Sequence, residues 1–380
     1  RIDSPQELHM IFFLVSFFAV YIGMHALVFW GMHPLLSGHR ALPTLTWVWM
    51  ALMILAPLTV RAIDKAGHDL IARAIAWVGY SWMGFVFLAF SFFTFVGLWH
   101  LAALFLAHLG APNLTLHGPV CGLVVLLLAL GVGLYGIYEA HNLRVERVLL
   151  KTAKLPAGVE RLRIAQVSDI HLGLLHREEA LASIISQLQE LQPDLVVATG
   201  DIVDAQIDHL DGMSELWQRL QPPLGKFAVT GNHEFYAGLG QALRFLERSG
   251  FTVLRGEVVT AAETITVVGI DDPVGKNQDE ANLLTRHQSD LFTLLLKHRP
   301  RVNEKAAGLF DLQLSGHAHR GQIFPFNYVT ALEYPQQDGL YSLPGGGQLY
   351  VSRGTGTWGP PMRVLSPPEI TLVEVVPEQP

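Results

Sequence analysis

Four apolar stretches in the first 140 residues limit what this chain can fold into. Residues 8–30, 42–60, 71–106 and 120–138 are each long enough to cross a hydrocarbon core of about 30 Å as a helix of about 20 residues. The third is too long for a simple crossing, but it has no proline and no turn cluster, so it reads as one tilted or protruding helix. If it folded back as two passes, the orientation derived below would reverse. A cleaved signal peptide is not expected, because the first apolar run is long, lacks a basic flank apart from Arg1, and is followed by further spans.

Only 16% of the residues are charged, low for a soluble protein, and the average conceals a division. Up to about residue 139, Lys/Arg and Asp/Glu cancel at five each, so the net charge of -7 belongs to the remainder. The expected organisation is a helical transmembrane domain of four spans over residues 1–140 and a mildly acidic globular domain over 141–380. Basic residues follow the second span (Arg61, Lys65, Arg73) and the fourth (Arg144, Arg147, Lys151, Lys154, Arg161, Arg163). The loop after the first has Arg40 alone, and residues 108–119 have no Lys or Arg. The positive-inside rule then places the globular domain on the cytoplasmic side of a cell (inner) membrane, as part of a multi-pass protein. The cluster from Arg144 to Arg163 reads equally as a face drawn to anionic lipid or as the residues that ended translocation.

Nothing resembles a nucleic-acid-binding surface. The single cysteine, Cys121, lies in an apolar run and excludes both a disulfide framework and a thiolate cluster. His25, His100 and His108 raise the idea of an intramembrane haem or metal bundle. No helical pair of histidines is repeated across two spans, so no haem is expected.

In the globular part, strands and helices alternate. Residues 163–168, 195–199 and 226–230 read as buried strands, and 178–191, 210–220 and 240–248 as helices. From residue 251 the pattern turns to strands at 252–254, 258–260, 264–270, 291–296, 312–315, 348–352 and 369–375, with residues 145–149 and 159–164 as weaker opening strands. This fits two packed sheets flanked by helices.

Residues that a packed core cannot use crowd the ends of these runs. Asp169-Ile170-His171 follows the first strong strand, Gly200-Asp201 the second, and Gly231-Asn232-His233-Glu234 the third. His298 and Gly316-His317-Ala318-His319 follow two later strands. Strand ends are where an α/β fold places its site. On a continuing strand, Asp169 and His171 would share one face, and His317 and His319 repeat the spacing. Mixed oxygen and nitrogen donors without sulfur suit Mn²⁺, Fe²⁺ or Zn²⁺ better than Ca²⁺ or Cu(I). Two ions about 3.5–4 Å apart would need a shared carboxylate and a bridging water, a nucleophile for attack on phosphorus. His233 is then free to act as an acid or to hold a phosphoryl oxygen, while Glu234 has no assignable role beyond a supporting hydrogen bond.

In this order the motifs resemble those of the calcineurin-like metallophosphoesterases, over about residues 161–376. The resemblance implies a four-layer αββα sandwich and two divalent metal ions. It implies that Asp169, His171, Asp201 and His319 hold one ion, that Asp201, Asn232, His298 and His317 hold the other, and that His233 is the catalytic histidine. The preceding spans and the run Ser352-Arg353-Gly354-Thr355-Gly356 resemble the branch of transmembrane proteins with a metallophosphoesterase domain, which includes enzymes similar to UDP-2,3-diacylglucosamine hydrolases. That branch usually has Gly-Gly-Gln after the last histidine, and here the run is Arg320-Gly321-Gln322, so Arg320 is a candidate contact for a substrate phosphate or a solvated loop residue. Phe324-Pro325-Phe326-Asn327-Tyr328-Val329 is unusually apolar for a loop after such a motif. It reads as core packing or as a surface for lipid.

The expected function is hydrolysis of a phosphodiester or pyrophosphate bond in a lipid-linked substrate, UDP-2,3-diacylglucosamine being one of that kind, by a hydroxide bridging two metals. A phosphomonoesterase or nucleotidase merely tethered to membrane lipids is the second reading, and a non-catalytic metal-binding scaffold the third.

Overall fold

The computed structural model describes residues 5–204, 210, 212–275 and 278–378, without the side chains of residues 5–10 and 13. The chain divides into two compact units, Arg1–Ile137 with Gly359–Met362, and Tyr138–Trp358 with Arg363–Pro380.

The first unit holds four helices, α1 (Pro5–Leu36), α2 (Leu42–Lys65), α3 (Asp69–His108) and α4 (Pro119–Ala140). All four are long and apolar enough to cross a membrane. The long third stretch is a single helix of 40 residues, about 60 Å at 1.5 Å per residue. Small residues let these helices approach. A Cβ on Gly79 of α3 would come within 2.6 Å of Ala56 in α2, the close packing that lipid-embedded helices rely on. His25 of α1 is fully buried. Its Nδ1 lies 2.8 Å from the Tyr21 carbonyl, and its Nε2 accepts from Trp82 Nε1 at 3.0 Å. Both ring nitrogens are therefore engaged.

The second unit begins with strands β1 (Arg144–Thr152) and β2 (Leu162–Val167), followed by α5 (Glu178–Leu191), β3 (Leu195–Thr199), α6 (Met213–Gln218) and β4 (Lys226–Val229). Next come α7 (Asn232–Tyr236), α8 (Leu239–Arg248), β5 (Thr252–Val253), β6 (Glu257–Ala261), β7 (Ile265–Ile270) and α9 (Glu280–Arg286). The chain ends with β8 (Phe292–Lys297), β9 (Leu312–Ser315), α10 (Asn327–Thr330), β10 (Gly339–Ser342), β11 (Gln348–Val351) and β12 (Glu369–Pro377). The sequence periodicity located α5, β3 and β9 to the residue. The helix expected over 210–220 is confined to α6, and residue 211 lies outside the described residues. The polar stretch before β8 contains α9, capped by the Asp279 carboxylate on the Asn282 amide at 3.1 Å.

Two mixed sheets form. The first has the order β1-β12-β2-β3-β4-β5 and the second β10-β11-β9-β8-β7-β6. The last strand therefore inserts between the first two, parallel to β1 and antiparallel to β2. Alternation along β2 divides its side chains between two cores. Leu162 and Ile164 join Val197, Val229, Leu294 and Leu314 between the sheets, while Ala165 and Val167 pack under Leu181, Ile185 and Leu188 of α5. Leu284 of α9 and Phe310 cover the other face of the second sheet. The layering is αββα, and each buried Leu or Ile contributes roughly 1.5–3 kcal/mol. Gln166 lies in the inter-sheet layer, where its Nε2 donates to Thr199 Oγ1 (2.8 Å) and to the Ser315 carbonyl (3.0 Å). It ties the sheets together where the parallel strands β2, β3 and β9 all end.

Candidate metal centre

The expected site residues follow the C-terminal ends of β2, β3, β4, β8 and β9, and they converge. The route differs from simple strand alternation. β2 stops at Val167, and Asp169 (φ 53°) and His171 (φ 55°) are both left-handed. Asp201 (φ 52°), His317 (φ 69°) and His319 (φ 47°) share that conformation. Each such residue costs of order 1–3 kcal/mol and persists only where its surroundings enforce it. The enforcing bonds are visible. The Asp169 amide donates to the Gly200 carbonyl at 3.0 Å, and the His171 amide to the Asp201 carbonyl at 3.1 Å. Thr355 and Gly356 donate their amides to the Ser168 and Asp169 carbonyls at 2.7 and 3.0 Å.

Glu234 supplies the largest constraint. Its fully buried carboxylate accepts from the amides of Gly231 (2.7 Å), Asp201 (2.9 Å), Ile202 (2.8 Å) and Val203 (3.2 Å). As the third residue of α7 it reaches back to the amide that precedes the helix, half of a capping box. It also fixes the loop after β3 onto the loop after β4. The acidic residue three places into a helix was the available signal for this role. Glycines stand where carboxylates lie against the backbone. A Cβ on Gly231 would fall 2.2 Å from Asp201 Oδ1, and one on Gly316 would fall 2.2 Å from Asp169 Oδ2.

Three sets of side chains bring their donor atoms within 4.8 Å of one another: Asp169, His171 and His319; His171, Asp201 and His233; and Asp201, His298 and His317. His171 Nε2 faces His319 Nε2 at 3.3 Å, and His298 Nε2 faces His317 Nδ1 at 3.0 Å. Asp169 Oδ1 is 3.3 Å from His319 Nε2, and Asp201 Oδ2 is 3.2 Å from His298 Nε2. Asn232 Oδ1 and His171 Nδ1 are buried and lack a hydrogen-bond partner among the described residues.

The electrostatics fit a cation. Burial, reinforced by neighbouring imidazoles, lowers His171 and His317 to about 3, so both are neutral with lone pairs available. Burial works against ionisation of Asp169 and Asp201, but His319 beside the first and His298 beside the second hold both carboxyls below the usual range. His298 is itself raised to about 10, because the Asp201 carboxylate outweighs the cost of burying its charge. A divalent ion on Nε2 would replace that proton. His298 Nδ1 is 2.8 Å from the Thr199 carbonyl, which fixes the ring proton there and leaves Nε2 as the donor atom.

His319 differs. The guanidinium of buried Arg363 donates to its Nδ1 at 3.1 Å. The proton of a neutral His319 ring is then on Nε2, so ligation through Nε2 requires loss of that proton or of the Arg363 contact. Arg363 also donates to the Arg353, Gly356 and Ser366 carbonyls. It lies in an irregular loop, and no pattern in the sequence pointed to it.

His233 packs edge-on against His171, with ring centroids 4.6 Å apart. Its amide donates to Asp201 Oδ1 at 2.8 Å, and its Nδ1 pairs with Asp204 Oδ1 at 2.9 Å. Burial opposes its charge, yet the hydrogen bond to Asp204 and the charge of Asp201 raise it to about 9. With Nδ1–H held by a carboxylate, Nε2 is the nitrogen that could exchange a proton with a ligand. Trp358 and Tyr236 flank the ring edge-on, at centroid distances of 5.6 and 5.4 Å. Arg320 is left-handed, with Nη1 3.4 Å from Asp338 Oδ2.

The sequence profile of the calcineurin-like phosphoesterases matches residues 162–321. An uncharacterized metallophosphoesterase of Aquifex aeolicus is 41% identical over 257 residues, covering 66% of this chain and 98% of that protein. One from Campylobacter jejuni is 32% identical over 290 residues, covering 73% of this chain and 76% of the relative. A Danio rerio protein named transmembrane protein with metallophosphoesterase domain is 32% identical over 270 residues, covering 66% of this chain and 61% of its own length. With the αββα layering, the convergent donors and these relatives together, the chain belongs to the calcineurin-like metallophosphoesterases, metal-dependent hydrolases of phosphate esters.

Proposed function

We propose that this membrane protein hydrolyses a phosphodiester or pyrophosphate bond in a lipid-linked substrate, with its α/β unit on the cytoplasmic side of the cell membrane. The Lys/Arg distribution around the spans supports the orientation. The observation that carries the catalytic reading is the set of three donor clusters linked through His171 and Asp201, with Asn232 Oδ1 buried and unpartnered among the described residues. Asp169, His171, Asp201 and His319 would hold one divalent cation, and Asp201, Asn232, His298 and His317 a second; Mn²⁺, Fe²⁺ and Zn²⁺ all suit this donor set. Bound there, such ions polarise a phosphoryl group and acidify water.

The protein supplies the rest. Asp201 would be shared between the two ions and so would set the spacing of the two groups of donors. The His298 pair with the Thr199 carbonyl keeps Nε2 aimed inward. His233, with Nδ1–H held by Asp204, presents Nε2 to the phosphoryl group and gives its proton to the departing oxygen. Arg320, now paired with Asp338, would exchange that partner for a substrate phosphate.

Purified full-length protein supplied with Mn²⁺ should turn over bis-p-nitrophenyl phosphate. Turnover of the mono-ester alone would overturn the diester reading in favour of a tethered phosphomonoesterase. Lipid extracts of a deletion strain should accumulate a phosphate-linked lipid, and UDP-2,3-diacylglucosamine is one such molecule to assay.

A further inference from the structure

We propose that the loop over residues 323–332 inserts into the bilayer interface and holds the rim of the metal centre against the lipid surface. This goes beyond the catalytic reading and rests on the four helices being membrane spans.

The loop leaves the metal-centre motif four residues after His319 and carries Phe324, Phe326, Tyr328, Val329 and Leu332. Their exposures are 40%, 45%, 67%, 54% and 85%. Elsewhere in the same unit, exposed large apolar residues occur singly along the sequence. A run this concentrated marks an interaction surface rather than ordinary surface composition. Core packing, the other reading of this stretch, does not describe side chains this open.

Three features select lipid as the occupant. First, residues 323–332 contain no charged side chain, and the bounding charges are neutralised, Arg320 by Asp338 and Glu333 by Arg301. Second, most of the loop's backbone amides are satisfied within the loop. The amides of Phe326, Tyr328, Val329, Thr330, Ala331 and Leu332 all donate to carbonyls within the loop. A segment entering an apolar layer must meet that condition, because no water is available there. Aromatic and aliphatic side chains on such a segment favour the headgroup boundary. Third, only residues 141–143 separate α4 from β1, a link of at most about 14 Å when fully extended. Covalent attachment therefore keeps the α/β unit beside a bilayer, whereas a soluble partner would have to find it.

The loop is also continuous with the metal centre. Gln322 donates from Nε2 to the Trp358 carbonyl (3.0 Å) and accepts the Trp358 amide (2.9 Å). The Trp358 ring is the one beside His233. A loop seated in the interface would place the His233 side of the site where a lipid phosphate lies.

The test uses full-length protein with Cys121→Ser, single cysteines at Tyr328→Cys, Leu332→Cys and, as a control on α5, Glu190→Cys, each labelled with NBD. Nanodiscs contain phosphatidylcholine and phosphatidylglycerol, with or without a shallow doxyl lipid. Labels at 328 and 332 should shift to the blue and lose at least half their emission to the doxyl lipid, while the label at 190 does neither. Equal, unquenched emission at all three positions would overturn the proposal. So would blue-shifted labels at 328 and 332 that doxyl lipid does not quench, since those are shielded by protein. Because the readout needs no turnover, inactivity towards the diester would count against the catalytic reading and leave this one standing.

Discussion

His25 in the helical unit and the histidines of the metal centre, except half-buried His317, are buried, yet their surroundings are opposite. His25 has a carbonyl on one nitrogen and an indole N–H on the other, so its ring is fully used in pinning α1 to α3. In the α/β unit, imidazole nitrogen faces imidazole nitrogen at 3.0 and 3.3 Å, and His171 Nδ1 has no hydrogen-bond partner among the described residues. A packing role does not require that arrangement, because only one proton can lie between two such nitrogens. Burial alone therefore does not mark a functional histidine. What the second nitrogen meets does.

The contrast can be broken experimentally, and the largest effect should come from Asp201. Asp201→Asn should strip metal and cut diester turnover by more than about 100-fold, beyond the roughly 10–100-fold lost when an outer partner of a ligand is removed. Elemental analysis alongside turnover checks this, and retained metal with retained rate would remove Asp201 from the centre. His233→Gln should lower turnover by about 10²–10⁴-fold while leaving metal content unchanged, which separates proton transfer from ligation.

Next comes the pH response of EDTA-treated protein, followed as its melting temperature. His233 and His298 are raised to about 9 and about 10, so the stability they contribute is complete below about 6.5 and is lost as pH rises through those values. His171 and His317 are lowered to about 3, so their contribution is lost as pH falls from about 6.5 towards 3. The metal-free melting temperature should peak near neutrality and decline on both sides, and a flat profile from pH 6.5 to 10 would contradict the alkaline arm. The smallest effect should come from His25→Phe, which removes one interhelical hydrogen bond worth about 0.6 kcal/mol. Its diester turnover should remain within twofold of the parent, and a large loss would mean that His25 does more than pin helices.

The candidate donor positions were legible because polar and imidazole side chains at the ends of Val- and Leu-rich strands serve no packing purpose. The helix stripe of Leu181, Ile184, Ile185, Leu188 and Leu191 was legible for the opposite reason, since its first four members are buried and Leu191 is half-buried. What remained hidden depends on distant partners. No local pattern says that β12 will slot between β1 and β2. Nor does one say that Glu234 will gather amides from a loop some thirty residues earlier. The Arg363 contact with His319 likewise joins segments with no shared periodicity. Asp169 and His171 show the limit within a motif. Their spacing was informative, but the left-handed backbone that brings them together belongs to the bonds made by Gly200, Asp201 and Gly356.

Those left-handed positions leave this chain with a standing trade. At Asp169, His171, Asp201, His317 and His319, glycine would relax the backbone and forfeit a candidate metal donor, so selection for a sturdier fold and selection for a metal centre would favour different residues at the same place. Stabilising variants should therefore accumulate in the helices and sheet faces and avoid this rim. A glycine recovered at any of the five would identify a chain that has kept the architecture and abandoned the chemistry.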